Sequence, residues 1–398
     1  MTTRGEWGHA VPLADVSGRA SIVGVGEAGY SRASGRTAVE IALDAAERAI
    51  DDAGLRPSDI DGLTWSEYAP ALTPDVFRDH FGVDGIRFTS DQCGGMTGAG
   101  MAPYVAADAI AHGRARYVLN TYAVAWATER ERMVGGPGES YLGFPDKRNL
   151  EVPYGFFPQP VYFAAIARRH MLEFGTTEEQ FGSIATTFRQ HANRTPSAVM
   201  HDRPMTLDDY LASPMIADPL RLFDCCLISD GGAAFVTTSS DRAADHPHRP
   251  VTVAGVGLGL SHAGLHWSQQ DPMTATPQVF AAPGAFRMAG IGPADVDVLA
   301  LYDPFTIVAL MQVEDMGFCA KGDGGPFVAD GGLSYRGGRL PVNTHGGLLS
   351  HAYVLGIAHV VEIVRQLRGS AAAQVGDCRV GVYGGFTGAD ASTLVLVA

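Results

Sequence analysis

The sequence has few cysteines, no long apolar run and no apolar leader. Its 398 residues contain five cysteines, too few and too scattered for a disulfide framework in a chain of this length. No run approaches the ~18 apolar residues of a membrane-spanning helix, and the N-terminal residues lack the apolar core of a signal peptide. We therefore expect a soluble, cytoplasmic protein whose thiols are reduced.

Positive charge is also scarce. There are 43 acidic side chains against 29 basic ones, a formal net charge of −14, which excludes a general nucleic-acid-binding surface. Only Lys147 and Lys321 are lysines, so Schiff-base chemistry, which needs a desolvated amine, has two candidates. Lys147 stands in a charged run and Lys321 in a glycine-rich one, and both are expected to be exposed. An amine mechanism is therefore disfavoured.

Metal chemistry has little support in the sequence. A catalytic metal needs clustered histidine and carboxylate ligands. The only closely spaced histidines, His246 and His248, flank a proline in a segment that is typical of a linker. We therefore expect neither a metal nor an organic cofactor.

The chain is internally repeated. Residues 21–26 and 251–257 each predict a buried strand rich in glycine, and each is followed by a helical segment. Both helices end in glycine with proline three residues later, at Gly54 in the first copy and Gly290 in the second, an offset of 236 residues. Glycine stops a helix and proline prevents its continuation. A duplicated unit explains this match better than chance.

Strands that alternate with helices predict parallel β-α units in a layered α/β fold. The helical segments 98–113 and 354–367 are apolar on nearly all sides, which places them between two sheets. We therefore predict a five-layered αβαβα fold with halves at 1–245 and 246–398. The first half is longer because of an insertion at about 127–220, which is expected to form a lid or a wall over a site.

Two motifs resemble those of the thiolase superfamily. The run 229–234, Ser-Asp-Gly-Gly-Ala-Ala, is similar to the family's Asp-Gly-Ala-Ala strand entry. The run 343–356 resembles the stretch that in thiolases ends Gly-His-Pro-x-Gly. The resemblance covers nearly the whole chain and is strongest to the sterol-carrier-protein-x branch. It implies the five-layered thiolase fold and, by analogy, a homodimer.

The catalytic residues of thiolases are largely replaced. Thiolases use a nucleophilic cysteine, two loop histidines and often a C-terminal cysteine. Tyr353 stands at the position of the Gly-His-Pro histidine, and Tyr302 stands where the loop of the other histidine begins. At the nucleophile segment, Met96 or Thr97 falls at the nucleophile position, a few residues after Cys93. A thiol without activating histidines is a poor nucleophile near pH 7.

This pattern resembles the thiolase-like aldolases that remove side chains from steroid CoA esters, often labelled lipid-transfer proteins. In that subgroup two tyrosines replace the thiolase histidines, and a β-hydroxyacyl-CoA is cleaved by a retro-aldol step into a ring ketone and a short acyl-CoA such as propionyl-CoA. The resemblance implies a lyase for a steroid side-chain CoA ester with a tertiary ring hydroxyl, as in cholesterol side-chain catabolism. It also implies a small acyl-CoA-binding partner with a zinc ribbon and an oligonucleotide/oligosaccharide-binding (OB) fold.

A retro-aldol cleavage needs a base for the hydroxyl proton, stabilisation of the enolate oxygen and a proton for the α-carbon. The thioester acidifies its own α-carbon, so tyrosines can carry the protons if their pKa of ~10 is lowered or a relay exists. We predict that Tyr302 and Tyr353 share these roles, with the assignment open. The supporting catalytic residues are predicted to be Asp303, His345 and His351. The predicted oxyanion and substrate positions are Cys93 and the turns at Gly95, Gly346 and Gly385, of which Gly95 and Gly346 precede buried helices.

Two other functions stay open from the sequence. A residual thiolase or acyltransferase would use Cys93 as its acyl acceptor and would be inactivated by thiol alkylation. A non-catalytic acyl-CoA- or lipid-binding subunit would bind its ligand without turnover. The identity of the steroid or acyl chain, and the need for a partner, are not decided by the residues.

Overall fold

The computed structural model describes residues 7–129, 147–264 and 266–398. Its strands are β1 (Gly8–Val11), β2 (Ala20–Ser31), β3 (Gly62–Thr64), β4 (Phe88–Ser90), β5 (Tyr117–Ala125), β6 (Met215–Ala217), β7 (Leu220–Arg221), β8 (Asp230–Ser239), β9 (Val251–Ser261), β10 (Val298–Leu301), β11 (Val380–Phe386) and β12 (Asp390–Val397). Its α-helices are α1 (Ala38–Asp52), α2 (Pro74–Phe81), α3 (Met96–Ala111), α4 (Gln159–Phe174), α5 (Glu178–Ala192), α6 (Leu207–Leu211), α7 (Ser240–Ala243), α8 (Gln278–Ala289), α9 (Thr306–Asp315), α10 (Gly324–Val328), α11 (Gly347–Ser350) and α12 (Ile357–Arg368).

Ten of the described strands form one mixed sheet that consists of two similar halves. In the first half β2, β8 and β5 pair antiparallel in that order, and β5 then pairs parallel with β3. In the second half β9, β12 and β11 pair antiparallel, and β11 pairs parallel with β10. A short antiparallel pairing of β2 with β9 joins the halves. The internal repeat predicted from the sequence is confirmed by this shared topology.

Glycines inside the first strand of each repeat allow a helix to pack closely on that strand. A Cβ on Gly26 of β2 would overlap the carbonyl oxygen of Ala45 in α1, and a Cβ on Gly257 of β9 would overlap that of Ala281 in α8. Only glycine permits so close an approach of helix backbone to strand. The paired glycines therefore serve helix packing in both copies.

The helices form the remaining layers of the five-layered fold. Helices α1 and α8 cover the outer faces of the two halves, and α3 and α12 lie between them, in contact with strands of both. Helix α1 begins with a capping box formed by Thr37 and Glu40. Helix α12 begins at Ile357 rather than near 354, because residues 351–356 form a loop. That loop carries Tyr353 at the edge of the buried layer.

The insertion contributes helices α4 and α5, which pack on the second half of the fold. Residues 130–146 of the insertion lie outside the described residues. All five cysteines are free thiols, of which Cys93 and Cys378 are buried. Within the described residues, no helix combines the length and the apolarity needed to cross a membrane.

Candidate active site

The hydroxyl oxygens of Tyr302 and Tyr353 lie 3.4 Å apart, within hydrogen-bond reach. Tyr302 directly follows β10 and is buried, whereas Tyr353 lies in the loop between α11 and α12 and is half-buried. The two residues are 51 positions apart in the chain. The structure thus brings together the two tyrosines that stand at the thiolase histidine positions.

The backbone of each tyrosine is fixed by hydrogen bonds. The N–H of Tyr302 donates to the Gly384 carbonyl at 2.9 Å, and Gln312 Nε2 donates to the Tyr302 carbonyl at 2.7 Å. The N–H of Tyr353 donates at 2.7 Å to the hydroxyl of Ser229, a fully buried residue of the strand-entry motif. Fixed backbones hold the two phenols in one geometry, as proton transfer requires.

A narrow cavity with aromatic walls lies next to Tyr302. Its walls include Tyr162 and Phe163 from α4, Trp267 and Phe386. The insertion therefore forms one side of this cavity, as a wall over the site. Tyr353 is not part of this lining, and its ring meets that of Trp126 edge-on with centroids 5.9 Å apart. The cavity has a volume of about 350 Å³, and Tyr302 is part of its lining.

Met96 occupies the first position of α3 and also lines the cavity. Its φ angle is 42°, in the left-handed region that residues other than glycine rarely adopt. Its carbonyl oxygen accepts a hydrogen bond of 2.6 Å from the Tyr383 hydroxyl, which helps to hold this conformation. Strained backbone of this kind concentrates at functional sites. Position 96 is one of the two that the sequence predicts for the thiolase nucleophile.

Asp303 acts on the loop that carries Tyr353 rather than directly on a phenol. Its fully buried carboxylate accepts hydrogen bonds from the N–H of Leu348 at 2.9 Å and from His359 Nε2 at 3.0 Å. Burial raises the pKa of this carboxyl, while the bond from His359 opposes the shift. The described geometry therefore makes Asp303 a residue that positions α11 and the loop after it.

His345, and His351 at the start of the same loop, form a buried group with His359 of α12. The ring centroid of His345 is 4.9 Å from that of His351 and 4.8 Å from that of His359. Neither ring nitrogen of His345 has a hydrogen-bond partner in the described part of the chain. Burial lowers the pKa of His345 well below its usual range and that of His351 to about 4. Both rings are neutral at physiological pH, and His351 Nε2 pairs with the hydroxyl of Ser197 at 3.3 Å.

Comparison with known proteins identifies the family. Residues 259–398 match the model of the thiolase C-terminal domain-like family. Over 384 residues the chain is 36% identical to the steroid side-chain-cleaving aldolase of Thermomonospora curvata, with 95% of this chain and 98% of that one covered. It is 35% identical over 390 residues to 17-hydroxy-3-oxo-4-pregnene-20-carboxyl-CoA lyase of Mycobacterium tuberculosis, with 96% and 100% covered. The chain belongs to the thiolase superfamily.

Solved structures support the same assignment. The structure named "Ltp2-ChsH2(DUF35) aldolase" is 36% identical, with a TM-score of 0.88 and coverage of 97% of this chain and 99% of that chain. Human mitochondrial 3-ketoacyl-CoA thiolase is 16% identical, with a TM-score of 0.68 and coverage of 97% and 100%. The second likeness shows the fold alone. The predicted resemblance to the aldolase branch of the superfamily is confirmed.

In this member of the thiolase superfamily the three glycines predicted as oxyanion positions lie in different backbone surroundings. Gly95 caps the start of α3, where the first N–H groups of a helix lack partners within it. The N–H of Gly346 donates to the Asn343 carbonyl at 2.8 Å, and Gly346 precedes only the four-residue α11. Gly385 lies inside β11 rather than at a turn. Of the three, Gly95 retains the expected geometry, and the turn predicted at Gly385 is wrong.

Cys93 is a buried thiol outside the aromatic cavity. It is 2% exposed, and burial raises its pKa to about 12. Its sulfur lies 4.0 Å from the hydroxyl of Ser90, and the lining of the cavity includes Met96 but not Cys93. The thiolate that nucleophilic catalysis needs is therefore disfavoured here.

The expectation that Lys147 is exposed is wrong. Its side chain is 1% exposed, and its Nζ lies 3.1 Å from Glu151 Oε2 and 4.7 Å from the ring centroid of Tyr162. The charged run 146–148 suggests a surface turn, but one turn of π-helix over Lys147–Glu151 directs the amine inward. Lys321 keeps 32% exposure and pairs with Glu314 at 3.0 Å. Both amines are engaged in ion pairs.

Arg189 is a functional candidate that the sequence did not reveal, because its helix position carries no sign of burial. It is 4% exposed, and its Nε and Nη1 donate to the Ser350 hydroxyl and the Arg203 carbonyl, each at 3.0 Å. It pairs with no carboxylate among the described residues. Burial and the charges of Arg203 and Arg32 lower its pKa to about 10. Arg32 also lines an open cleft of about 1020 Å³.

The buried His351 makes a prediction about acid stability. Its pKa of about 4 in the fold lies below ~6.5 in the unfolded chain, so unfolding takes up a proton between those values. The contribution of His351 to the free energy of unfolding is fully present above pH ~6.5 and falls as the pH drops toward 4. At ~1.4 kcal/mol per pH unit, the proton taken up by His351 lowers the free energy of unfolding of the wild-type protein by about 2 kcal/mol at pH 5. Chemical denaturation at pH 7 and pH 5 should show that the His351→Phe variant lacks this loss.

The groups around His351 define the control for this measurement. Burial is the main cause of its shift, and Glu27, Arg365 and His359 also act on it. His80, which is exposed and pairs with Glu47, supplies the matched control His80→Phe, with the pH dependence of wild type expected. Equal pH slopes for wild type and His351→Phe would mean that His351 titrates alike in folded and unfolded chains.

Proposed function

We propose that the protein is an aldolase, a carbon–carbon lyase that cleaves a β-hydroxyacyl-CoA by a retro-aldol reaction. The substrate class is a steroid side-chain CoA ester with a tertiary ring hydroxyl, and the products are a ring ketone and a short acyl-CoA such as propionyl-CoA. The observation that carries the proposal is the 3.4 Å pair of Tyr302 and Tyr353 hydroxyls at the thiolase histidine positions. The names of the two bacterial relatives support the substrate class.

The proposed reaction balances within the tyrosine pair. One tyrosine, as phenolate, takes the proton of the β-hydroxyl while the bond between the α- and β-carbons breaks. The β-carbon becomes a ketone, and the bonding electrons pass into the enolate of the thioester. The other tyrosine, as phenol, protonates the α-carbon. The short separation of the hydroxyls lets the proton return between them, so the pair is reset without an external acid.

Two features support the stabilisation and binding of an anionic thioester. The start of α3 after Gly95 offers N–H groups and the positive end of a helix dipole to an enolate oxygen. Arg32, Arg189 and Arg203 form a cationic group without carboxylate partners among the described residues. Arg189 is buried, whereas Arg32 and Arg203 are exposed, and phosphates suit the geometry of guanidinium groups. We assign this group to the phosphates of CoA.

The proposal includes partners and a location. A homodimer follows by analogy with thiolases. The name of the structural relative pairs an aldolase with ChsH2(DUF35), which supports a small acyl-CoA-binding partner with a zinc ribbon and an OB fold. The reaction uses no cofactor apart from the CoA of the substrate. Cytoplasmic location suits the five free thiols.

The test is product analysis with a tertiary β-hydroxyacyl-CoA. Mass spectrometry should detect the ketone and the short acyl-CoA in equal amounts, with the purified chain alone or with its small partner. The same acyl group on pantetheine, without the nucleotide phosphates, should be cleaved with a KM at least about tenfold higher. Binding without turnover in the presence of the partner would favour the non-catalytic subunit. An acyl group on Cys93 would favour the acyltransferase.

A further inference from the structure

The buried Lys147 and its ion pair have no part in the proposed proton transfers, yet they lie directly behind the cavity. Lys147 Nζ stands 4.7 Å from the ring centroid of Tyr162, a residue of the cavity wall. Its partner Glu151 is four residues further on, and both side chains are 1% exposed. The turn that carries them is π-helical, and single π turns occur frequently at functional sites.

Glu151 connects the lysine to a second segment of the cavity wall. Its Oε1 accepts hydrogen bonds from the Ser268 hydroxyl at 2.7 Å and the Ser268 N–H at 3.2 Å. Ser268 directly follows Trp267, which lines the cavity and packs edge-on against Phe386 with ring centroids 5.5 Å apart. One carboxylate therefore ties the lysine behind Tyr162 to the segment that holds Trp267.

A purely stabilising role does not account for this arrangement. Burying an ion pair costs desolvation that its attraction barely repays, and apolar replacements of such pairs are often as stable. The pair instead fixes the positions of two segments, because one oxygen of Glu151 accepts a hydrogen bond from Lys147 and the other accepts one from Ser268. The pair thereby joins two walls from different parts of the chain, α4 and the segment after β9, which also meet through the rings of Phe163 and Trp267 with centroids 5.0 Å apart.

We propose that Lys147 and Glu151 are positioning residues that fix the distance between Tyr162 and Trp267 and so set the size of the acyl group that the cavity admits. The proposal rests on the proposed function, because it takes the cavity beside Tyr302 as the seat of the short acyl group of the thioester. An apolar pocket of fixed width discriminates by about 10–200-fold per methylene group. A pocket with a mobile wall loses much of that discrimination.

The test is selectivity in binding, which needs no turnover. Dissociation constants of propionyl-CoA and hexanoyl-CoA are measured by calorimetry for the full chain and for the double variant Lys147→Met/Glu151→Met, which strands no buried charge. Wild type should bind propionyl-CoA more tightly, and the ratio of the two constants should fall at least about tenfold in the double variant. The single variant Glu151→Gln, which keeps the shape but removes the charge, should shift the ratio in the same direction.

The control is the double variant Arg78→Met/Asp75→Met, which removes both partners of an exposed ion pair on α2, away from the cavity lining. It should keep the ratio of wild type. An unchanged ratio in a folded Lys147→Met/Glu151→Met variant or in Glu151→Gln, or an equal change in Arg78→Met/Asp75→Met, would overturn the positioning role while leaving the aldolase proposal intact. If wild type binds neither thioester, the proposed function fails, and the selectivity role fails with it.

Discussion

The Tyr353→Phe variant is expected to lower kcat for retro-aldol cleavage by about 10²–10⁴-fold, and Tyr302→Phe by a similar factor. Positioned acid–base groups contribute rate enhancements of that order. The substitution removes one of two hydroxyl oxygens that lie 3.4 Å apart and keeps the aromatic ring. Cleavage of the tertiary β-hydroxyacyl-CoA is followed by the appearance of the short acyl-CoA. Near wild-type rates for both variants would end the assignment of acid–base roles to these phenols.

The control for this result is a phenol outside the site. Tyr104 lies on α3, and its hydroxyl accepts a hydrogen bond from the N–H of Ala14 at 3.1 Å. The Tyr104→Phe variant removes the same atom from the same residue type and is expected to retain activity. The double variant of Tyr302 and Tyr353 should lose little more than either single one, because residues that act as a unit are strongly non-additive.

The fold could be predicted because the internal repeat consists of glycines that the backbone conformation requires at matching positions. Gly26 and Gly257 are needed where α1 and α8 meet their strands. Gly54 and Gly290 follow the ends of those two helices, each with a positive φ. Such positions are visible in one sequence without knowledge of tertiary contacts. The same repeat predicts that Tyr302 lies at the end of β10, because β3 occupies the matching place in the first repeat.

The surroundings of the tyrosines could not be predicted, because they depend on contacts between distant segments. Tyr162 and Trp267 meet at one cavity although 105 positions separate them in the chain. Lys147 was expected at the surface because charge usually indicates exposure, and a single π turn reverses its direction. Arg189 is buried by α11 and by the segment that ends at Arg203. The burial of Lys147 and that of Arg189 leave no periodic pattern in the sequence.

Asp303 illustrates a residue whose importance was predicted but whose manner of action was not. It is predicted from the sequence as a catalytic residue that supports the two tyrosines. In the fold its carboxylate points to α11 and α12, where it meets the N–H of Leu348 and the ring of His359. It therefore joins the strand that carries Tyr302 to the loop that carries Tyr353, and both halves of the pair depend on it.

The Asp303→Ala variant is expected to lower the free energy of unfolding by about 2–6 kcal/mol, because each of two buried donors left without its acceptor costs about 1–3 kcal/mol. Its side chain is fully buried, and alanine leaves the Leu348 N–H and His359 Nε2 without their acceptor. Asp303→Asn retains one acceptor oxygen and should lose about 1–3 kcal/mol. Urea denaturation at pH 7 measures both losses. A loss below about 1 kcal/mol in Asp303→Ala would mean that the loop bearing Tyr353 is held by its other contacts, such as the bond from Tyr353 N–H to Ser229.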